Sequence, residues 1–416
     1  MIQNIFKIIW SERKINLWIF LELILVFCIL WFCVDYLYFM GKRYLQPVGF
    51  DIEHTYNIEL GMYQDGSNYL YSGDSVRKEQ IYNNFWTIHE RVKRYPAVET
   101  ATVSSFATPY GMIAGNQYMV DSVEQHIAEN YVSPEYFDVF KIEKLTGRFF
   151  TWDDTALDYA VISADNSGHF AQKIPQNIDQ IEQRRGMYKV VGVAERKKFS
   201  EFEDYSCVVY TPIKKHTSMS VDMSDLSVRV KPNADKDFAE KFIQDMGAQL
   251  DIYPFYLSAV IPIKENRENY LIRRGYDSNL KSVYSISLFL LANIFLIVIG
   301  TFWFRIQSRR SEIGLRIALG STRGDIKRLF VLEALLLLFI SSLFAVLICI
   351  NISFADILKD IGVPIPDRGK EQVSSVQYLI NYILTFVFIA IIVIVAVWNP
   401  ASRASNIQPA EALHDE

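Results

Sequence analysis

Seven cationic side chains, Arg305, Arg309, Arg310, Arg316, Arg323, Lys327 and Arg328, crowd one short stretch of this chain and face only Glu312 and Asp325 as opposing charges. Glu312 and Arg316 stand four residues apart, a spacing that on a helix sets a carboxylate beside a guanidinium. Ile313 and Ile317 give the same helix an apolar edge, and Gly320 is suited to end it. Thr322, followed three residues later by Asp325, has the spacing of a capping pair that opens the next helix. Such a loop makes and breaks no bonds; it offers a shaped surface for another protein to grip. Topology alone needs the charge, but it does not need Ile313, Gly314, Ile317 and Gly320 arranged around a capped turn.

Residues that could do covalent chemistry are not grouped elsewhere. No G-x-x-x-x-G-K-[ST] stretch occurs, so the chain lacks a backbone cradle and lysine for nucleotide phosphates. His54, His89, His126, His169 and His216 are scattered without ligand spacing, and neither H-E-x-x-H nor paired C-x-x-C occurs. Carboxylates are plentiful, yet no spacing pairs any two. The chain is expected not to be an enzyme, with no catalytic, cofactor-binding or metal-binding residues.

The elements that hold the basic loop are apolar. A formal net charge of -5 and 50% hydrophobic residues average over two materials. Leu17 to about Tyr38, Val283 to about Phe304, Leu329 to about Ile352 and Val376 to about Trp398 each run for roughly 22 residues, enough at about 1.5 Å per residue to span a hydrocarbon core of about 30 Å. Lys and Arg gather on the cytoplasmic side of spanning helices. The basic loop is therefore placed inside, both termini inside, and the long segment between the first and second spans outside, which in a bacterium is the periplasm. The first run is too long for a signal peptide, and no small-x-small cleavage pattern follows it near Gly41, so it reads as a retained anchor.

The fold class expected is an α-helical membrane protein with an α+β ectodomain, four transmembrane helices, and a large extracytoplasmic domain between the first and second. In order, the chain reads as an amphipathic cytoplasmic helix (1–14; Ile2, Ile5, Phe6, Ile9 and Trp10 on one face), a first span (15–40), the ectodomain (41–281), a second span (282–305) and the basic helix and turn (306–327). A third span (328–352), a short external loop (353–375), a fourth span (376–398) and a cytoplasmic tail (399–416) follow.

Within the ectodomain, Thr55 to Leu60 and Val98 to Ser104 read as strands flanking a helix from Ser75 to Arg94, whose apolar stripe is Val76, Ile81, Phe85, Ile88 and Val92. A second such unit is expected from a strand at Leu226 to Val230, a helix at Asp235 to Met246 and a strand at Ala248 to Tyr253. Short strands around Tyr118 to Val120, Tyr159 to Ile162, Tyr188 to Val193 and Cys207 to Tyr210 suggest an inserted β-rich subdomain, about 118–215. Pro262 to Lys281 reads as a helical stalk. Cys207 is the only cysteine of this segment, so no disulfide framework supports it. Interspersed charges argue against a nucleic-acid partner.

These features resemble the FtsX- and MacB-type permease family of ABC transporters. Glu312, Ile313, Gly314, Ala318, Leu319, Gly320, Asp325, Ile326 and Glu333 fit its pattern E-I-G-x-x-x-A-L-G, a turn, D-I, and a Glu in the next helix. Pro400, Arg403, Ala404, Pro409, Ala410, Ala412 and Leu413 fit its C-terminal pattern. In the ectodomain, Val132 to Asp138 with the pair Tyr136-Phe137, and then Gly147-Arg148-Phe149-Phe150, resemble two weaker family patterns. The resemblance implies a permease subunit that couples ATP hydrolysis on a separate ATP-binding subunit, where ATP and Mg sit, to ectodomain motion for export or extraction of a substrate. It implies a second permease copy, as a homodimer or a pair of related permeases, with a periplasmic adaptor and an outer-membrane channel as further candidate partners beside the membrane lipids. Glu312, Ile313, Gly314, Arg316, Ile317 and Gly320 would dock the ATPase.

Glu22 and Glu333 fall inside spans, where an uncompensated charge costs a few kcal/mol. Each is either satisfied structurally at the cytoplasmic side or a coupling element that rearranges with the ATPase. Asp35, near the outer end, is expected to reach interface water. Alternative functions are an FtsX-like regulator of a cell-wall hydrolase, a lipoprotein-releasing permease, and a membrane sensor or binding module with no ATPase.

Overall fold

The computed structural model of the chain describes residues 13–64, 75–120, 122–156, 158–164, 178–184, 186–214, 221–354 and 375–406. The expected interfacial helix before residue 13, most of the external loop at 353–375 and the motif residues from Pro409 onward lie outside them. The chain divides into two compact units: Met1–Lys42 with Asp277–Arg368 and Gln372–Glu416, and Arg43–Tyr276 with Gly369–Glu371.

The first unit is a helical bundle of α1 (Arg13–Tyr44), α6 (Tyr276–Ser308), α8 (Arg323–Phe354) and α9 (Ser375–Ala404), with the short α7 (Arg310–Ala318) between α6 and α8. Among the described residues, four helices are long and apolar enough to cross a membrane: Asn16–Tyr44, Tyr276–Ser308, Arg323–Ile352 and Val376–Ala404. Their core joins Phe27 and Leu30, Ile294 and Phe302, Phe330 and Leu338, and Ile389 and Val397. Leu25, Leu288, Phe289, Phe344 and Ile391 point outward, the arrangement lipid rewards because each helix satisfies its own backbone. All four cysteines of the chain are free thiols.

The second unit is built on one sheet. Its strands are β1 (Thr55–Met62), β2 (Val98–Ser105), β3 (Gly115–Val120), β4 (Val123–Val132), β5 (Lys144–Gly147), β6 (Tyr159–Ser163), β7 (Gln180–Gln183), β8 (Gly186–Ala194), β11 (Val208–Pro212), β12 (Asp225–Val230) and β13 (Phe255–Pro262). A separate two-stranded ribbon joins β9 (Lys197–Lys198) to β10 (Tyr205–Ser206). The large sheet runs β11-β6-β8-β7-β3-β4-β2-β12-β1-β13, and β11 also pairs with β4, so that the first six strands close into a ring. The expected insertion is therefore continuous with the core sheet. The long strand β4 belongs to both, meeting β2 through Ser104↔Val132 and Ser105↔Tyr131.

Helix α2 (Ser75–Lys93) lays Ile81, Phe85, Ile88 and Val92 against Ala101, Val103, Leu226 and Val228. Val76, expected on that stripe, is 74% exposed. Helix α4 (Phe238–Met246) adds Phe238, Phe242 and Met246 to the same core. Residues 248–253 are not the second unit's closing strand. They form a turn and a single bridge, and the strand follows at Phe255–Pro262, where Phe255 and Val260 carry the burial. The stalk is also shorter than expected, since α5 (Ile263–Arg273) stops before Gly275, whose φ of 75° lies in the left-handed region that glycine tolerates.

The two weak family patterns of this unit have structural reasons. Tyr136 and Phe137 lie in the short α3 (Tyr136–Val139), and the Tyr136 hydroxyl donates to Ala107 O at 2.6 Å. Phe149 stacks on Phe137 with ring centres 3.8 Å apart. Gly147, at φ 70°, leaves no room for a Cβ beside Val191 O, and Arg148 next to it pairs with Asp154, holding that carboxyl down to about 2. Close by sits a buried amine. Lys197 Nζ is 3.2 Å from the Tyr136 hydroxyl, within about 6 Å of the Phe50, Tyr136 and Tyr210 ring centres, and 2.9 Å from Asn130 Oδ1 once that amide is turned to satisfy its neighbours. Burial lowers its pKa to about 7.

Candidate functional site

The basic stretch folds as its spacing predicts. Helix α7 ends on Gly320 at φ 98°, with Gly320 N donating to Ile317 O and Ser321 N to Arg316 O, both at 3.0 Å. That pair of bonds is a Schellman cap, and it satisfies carbonyls the helix end leaves open. Helix α8 then opens on the capping pair: Thr322 Oγ1 and N donate to Asp325 Oδ2 at 2.6 and 3.0 Å, and Asp325 N donates back to Thr322 Oγ1 at 3.2 Å.

Glu333, in α8, is completely buried and sits at the centre of a charge network. Arg305 Nη1, from the end of α6, donates to its Oε1 at 2.6 Å, and Arg309 Nη1 to its Oε2 at 3.1 Å. Arg305 also donates to Asn16 Oδ1 of α1. Arg309, which precedes α7, donates through Nε to Glu312 Oε2 at 2.9 Å, and Arg316 Nη2 donates to Glu312 Oε1 at 2.7 Å. The hydrogen bond from Arg309 is the largest of the effects that keep the Glu312 carboxyl below its ordinary range. Three guanidiniums and two carboxylates thus alternate from the exposed side of α7 to the bundle interior, touching α1, α6, α7 and α8. Isolated, any of them would be costly there; alternated and hydrogen-bonded, they satisfy one another. Cation–π contacts tie in the fourth spanning helix, with Arg403 over Trp303 at 4.8 Å and Lys327 over Trp398 at 5.3 Å.

Of the residues singled out for docking, Ile313 and Gly314 are buried and pack into the bundle, Glu312, Arg316 and Ile317 are half-buried, and Gly320 is exposed. Ser311, Leu315 and Leu319 occupy the outward face at successive four-residue steps, with Leu315 51% and Leu319 79% exposed. The docking expectation named Glu312, Ile313, Gly314, Arg316, Ile317 and Gly320 and did not single out these leucines. The apolar edge of α7, Ile313 and Ile317, faces the bundle core. Glu22 is half-buried, and its Oε2 has no hydrogen-bond partner among the described residues. Asp35 does not reach the interface: it is 3% exposed and accepts from Asn381 Nδ2 at 2.6 Å. Among the described residues no group of three or more His, Cys, Asp and Glu is placed to hold a metal ion.

Two families match the sequence, one on each side of this division. The MacB-like periplasmic core domain matches residues 54–245, and the FtsX-like permease C-terminal region matches residues 284–409, which include the whole of α7 and the Glu333 network. The chain belongs to the MacB/FtsX-type family of ABC transporter permeases. Among curated relatives, the macrolide export ATP-binding/permease protein MacB of Neisseria meningitidis is 23% identical over 292 residues, covering 68% of this chain and 42% of the relative. The protein of the same name from Salmonella choleraesuis is 22% identical over 345 residues, covering 78% of this chain and 48% of the relative. The chain spans less than half the length of these relatives.

Two solved structures are also similar. The periplasmic region of MacB from Actinobacillus actinomycetemcomitans matches at 15% identity and a TM-score of 0.35, over 55% of this chain and 98% of that one. The extracellular domain of the noncanonic ABC-type transporter YknZ from Gram-positive bacteria matches at 15% identity and a TM-score of 0.31, over 49% of this chain and 99% of that one. In keeping with the family, four apolar helices accompany a β-rich domain of the periplasmic type between the first and second.

Proposed function

We propose that this chain is the membrane subunit of an ABC-type transporter, in which a separate ATP-binding subunit grips α7 and the resulting movement passes through the Glu333 network into the spanning helices. The observation that carries the reading is the two-faced character of α7. Leu315 and Leu319 stand exposed on one side, while Ile313 and Gly314 are packed into the bundle on the other. Between the faces, Glu312 links Arg316 to Arg309, and Arg309 reaches Glu333. An element gripped by its leucines cannot tilt without displacing charges that α1, α6 and α8 share.

In this reading ATP and Mg are bound by the partner, and this chain supplies docking and transmission. The basic loop and both termini lie in the cytoplasm, and the β-rich unit lies on the periplasmic side of a bacterial inner membrane. A second copy of the permease completes the assembly, and export or extraction of the substrate is driven by movement of that unit.

The test is copurification of the full chain from native membranes in gentle detergent, followed by an ATPase assay. A stoichiometric P-loop ATPase is expected. Leu315→Glu and Leu319→Glu should reduce its recovery by about tenfold or more, the effect of losing an interface anchor, while the chain still inserts and purifies as a folded protein. A complex without an ATPase, or wild-type recovery in both variants, would overturn the reading.

A further inference from the structure

The bundle holds a second buried polar contact, distant from the first. Along α1, Asn16 and Asp35 are about 28 Å apart at 1.5 Å per residue, so Asp35 lies near the opposite end of the spanning helix from the Glu333 network. Its partner Asn381 is completely buried, one turn from the equally buried Thr385, whose hydroxyl donates to Asn381 O at 2.8 Å. One turn before Asp35, Trp31 stacks on Tyr382 with ring centres 5.4 Å apart and planes 16° from parallel. Helix α1 therefore meets α9 through two adjacent contacts on one face.

The α9 side of this contact is not used up. Gln377 stands one helical turn before Asn381 on the same face, and its Nε2 is buried with no hydrogen-bond partner among the described residues; the Asn381 Oδ1 is in the same condition. A buried donor without an acceptor is expensive, most of all among apolar helices. Here the strongest acceptor on the facing helix, the Asp35 carboxylate, is one turn of α9 away. Helices with two alternative registers one turn apart are a known way of storing two states in a packed interface.

We propose that Asp35, Asn381 and Gln377 form a two-position clasp: Asp35 accepts from Asn381 in the state described here and from Gln377 when α9 slides by one turn against α1. These are positioning residues for the transmission assigned above, and the clasp determines how far α9 follows α1. The proposal rests on that reading only for what drives the slide. The existence of two registers is a property of this chain alone.

The test uses the full chain in lipid nanodiscs, its four native cysteines replaced by alanine, with spin labels at Tyr38→Cys and Leu379→Cys, two outward-facing positions beside the clasp. Without nucleotide, the parent protein and Gln377→Leu should give the same single distance. Asn381→Leu should shift that distance toward a second value by about 5 Å, one helical turn, because Gln377 then supplies the amide donor on α9 that Asp35 accepts. Combining Asn381→Leu with Gln377→Leu should abolish the second value and leave a broad distribution. The exchange Asp35→Asn with Asn381→Asp should restore the first distance, which separates loss of the clasp from loss of fold.

With the copurified ATPase trapped by vanadate as its ADP·vanadate complex, a mimic of the hydrolysis transition state, the parent should move to the second distance, and Gln377→Leu should not. If Asn381→Leu keeps the parent distance without nucleotide, the clasp is overturned whatever the ATPase does. If the nucleotide-free results hold and the trapped complex does not move, the clasp stands and the transmission reading fails.

Discussion

Both units bury cations, and the guanidiniums of the bundle network and the Lys197 amine of the other unit are treated in opposite ways. In the bundle, Arg305 and Arg309 are met by the Glu333 carboxylate, with Asn16 and Glu312 taking up further donors. In the extracytoplasmic-type unit, Lys197 has no carboxylate partner among the described residues; a phenol, carbonyls and aromatic faces surround it, and burial moves its pKa to about 7. An Arg cannot shed its proton, so a buried Arg demands a counter-charge. A Lys can, and a buried Lys without one settles near neutrality. The difference teaches where a counter-charge is required: the bundle answers its buried guanidiniums with the Glu333 carboxylate, whereas Lys197 serves as a long amphipathic side chain that joins β9 to the loop after β2.

The largest expected effect comes from breaking the bundle network on one side only. Glu333→Leu leaves two guanidiniums buried without their shared carboxylate and should lower the unfolding free energy by about 3–5 kcal/mol, measured by denaturation of the detergent-solubilised chain. Replacing Arg305, Arg309 and Glu333 together by Met, Met and Leu should recover most of that loss, since buried ion pairs stabilise little over a well-packed apolar set. The recovered protein should nevertheless bind its ATPase and fail to respond to it. If it responds normally, the network is packing and nothing more.

Lys197 sharpens the contrast through pH. Its folded-state pKa of about 7 lies below the ordinary lysine value of 10.5, so between those limits the unfolded chain binds more protons than the folded one. Stability should therefore rise with pH across that window, by up to about 1.4 kcal/mol per pH unit, and lie at its lower level below pH 7. Hydrogen exchange of the β4 and β9 amides at pH 7, 8 and 9 reads this, after correction for intrinsic exchange. Lys197→Met should flatten the rise to what Lys198 contributes, whose pKa burial lowers to about 8. An unchanged slope in the variant would mean that Lys197 keeps its proton in the fold.

A smaller effect follows at the turn. Gly320 holds φ at 98° with open space around a would-be Cβ, so the penalty for Gly320→Ala is purely conformational, about 1 kcal/mol. It should appear as a slightly lower midpoint and as faster exchange at Ser321 N, one of the two cap donors. A loss of several kcal/mol would show instead that the turn is packed against something the open surroundings do not reveal.

The sequence made the bundle legible because spanning helices need long apolar runs, and those runs are unambiguous. Cap and turn residues at Gly320, Thr322 and Asp325 were equally legible, since each acts on its immediate neighbours. What stayed hidden depends on contacts between distant segments. Nothing near Asp35 in sequence announces Asn381, 346 positions away. The strand at Phe255–Pro262 was displaced from its expected position because Ala248 to Tyr253 has the right composition, while Leu250 turns inward as a lone core residue. The outward leucines of α7 were masked by helical periodicity, which shows that a helix has an apolar edge without saying whether the bundle or a partner covers it.

The smallest effect tests whether exposure, and not charge number, separates the links of the network. Arg316 and Glu312 form an ion pair with side chains 37% and 40% exposed, four apart on α7, whereas Arg309 bonds the same carboxylate from a side chain only 8% exposed. Solvent screens the first pair, so Arg316→Met should change stability by only about 0.3–0.5 kcal/mol. Arg309→Met should cost several-fold more, because it strips Glu333 as well as Glu312. The Glu312 carboxyl is held low chiefly by Arg309, so the contribution of its ionised form is present above the unfolded carboxylate pKa and fades as pH falls through the lower folded value. That acid-side loss should survive in Arg316→Met and largely vanish in Arg309→Met, as followed by chemical denaturation from pH 6 downward. If both variants behave alike, the charges act as one screened cluster, and the graded path from the face of α7 to the bundle interior does not exist.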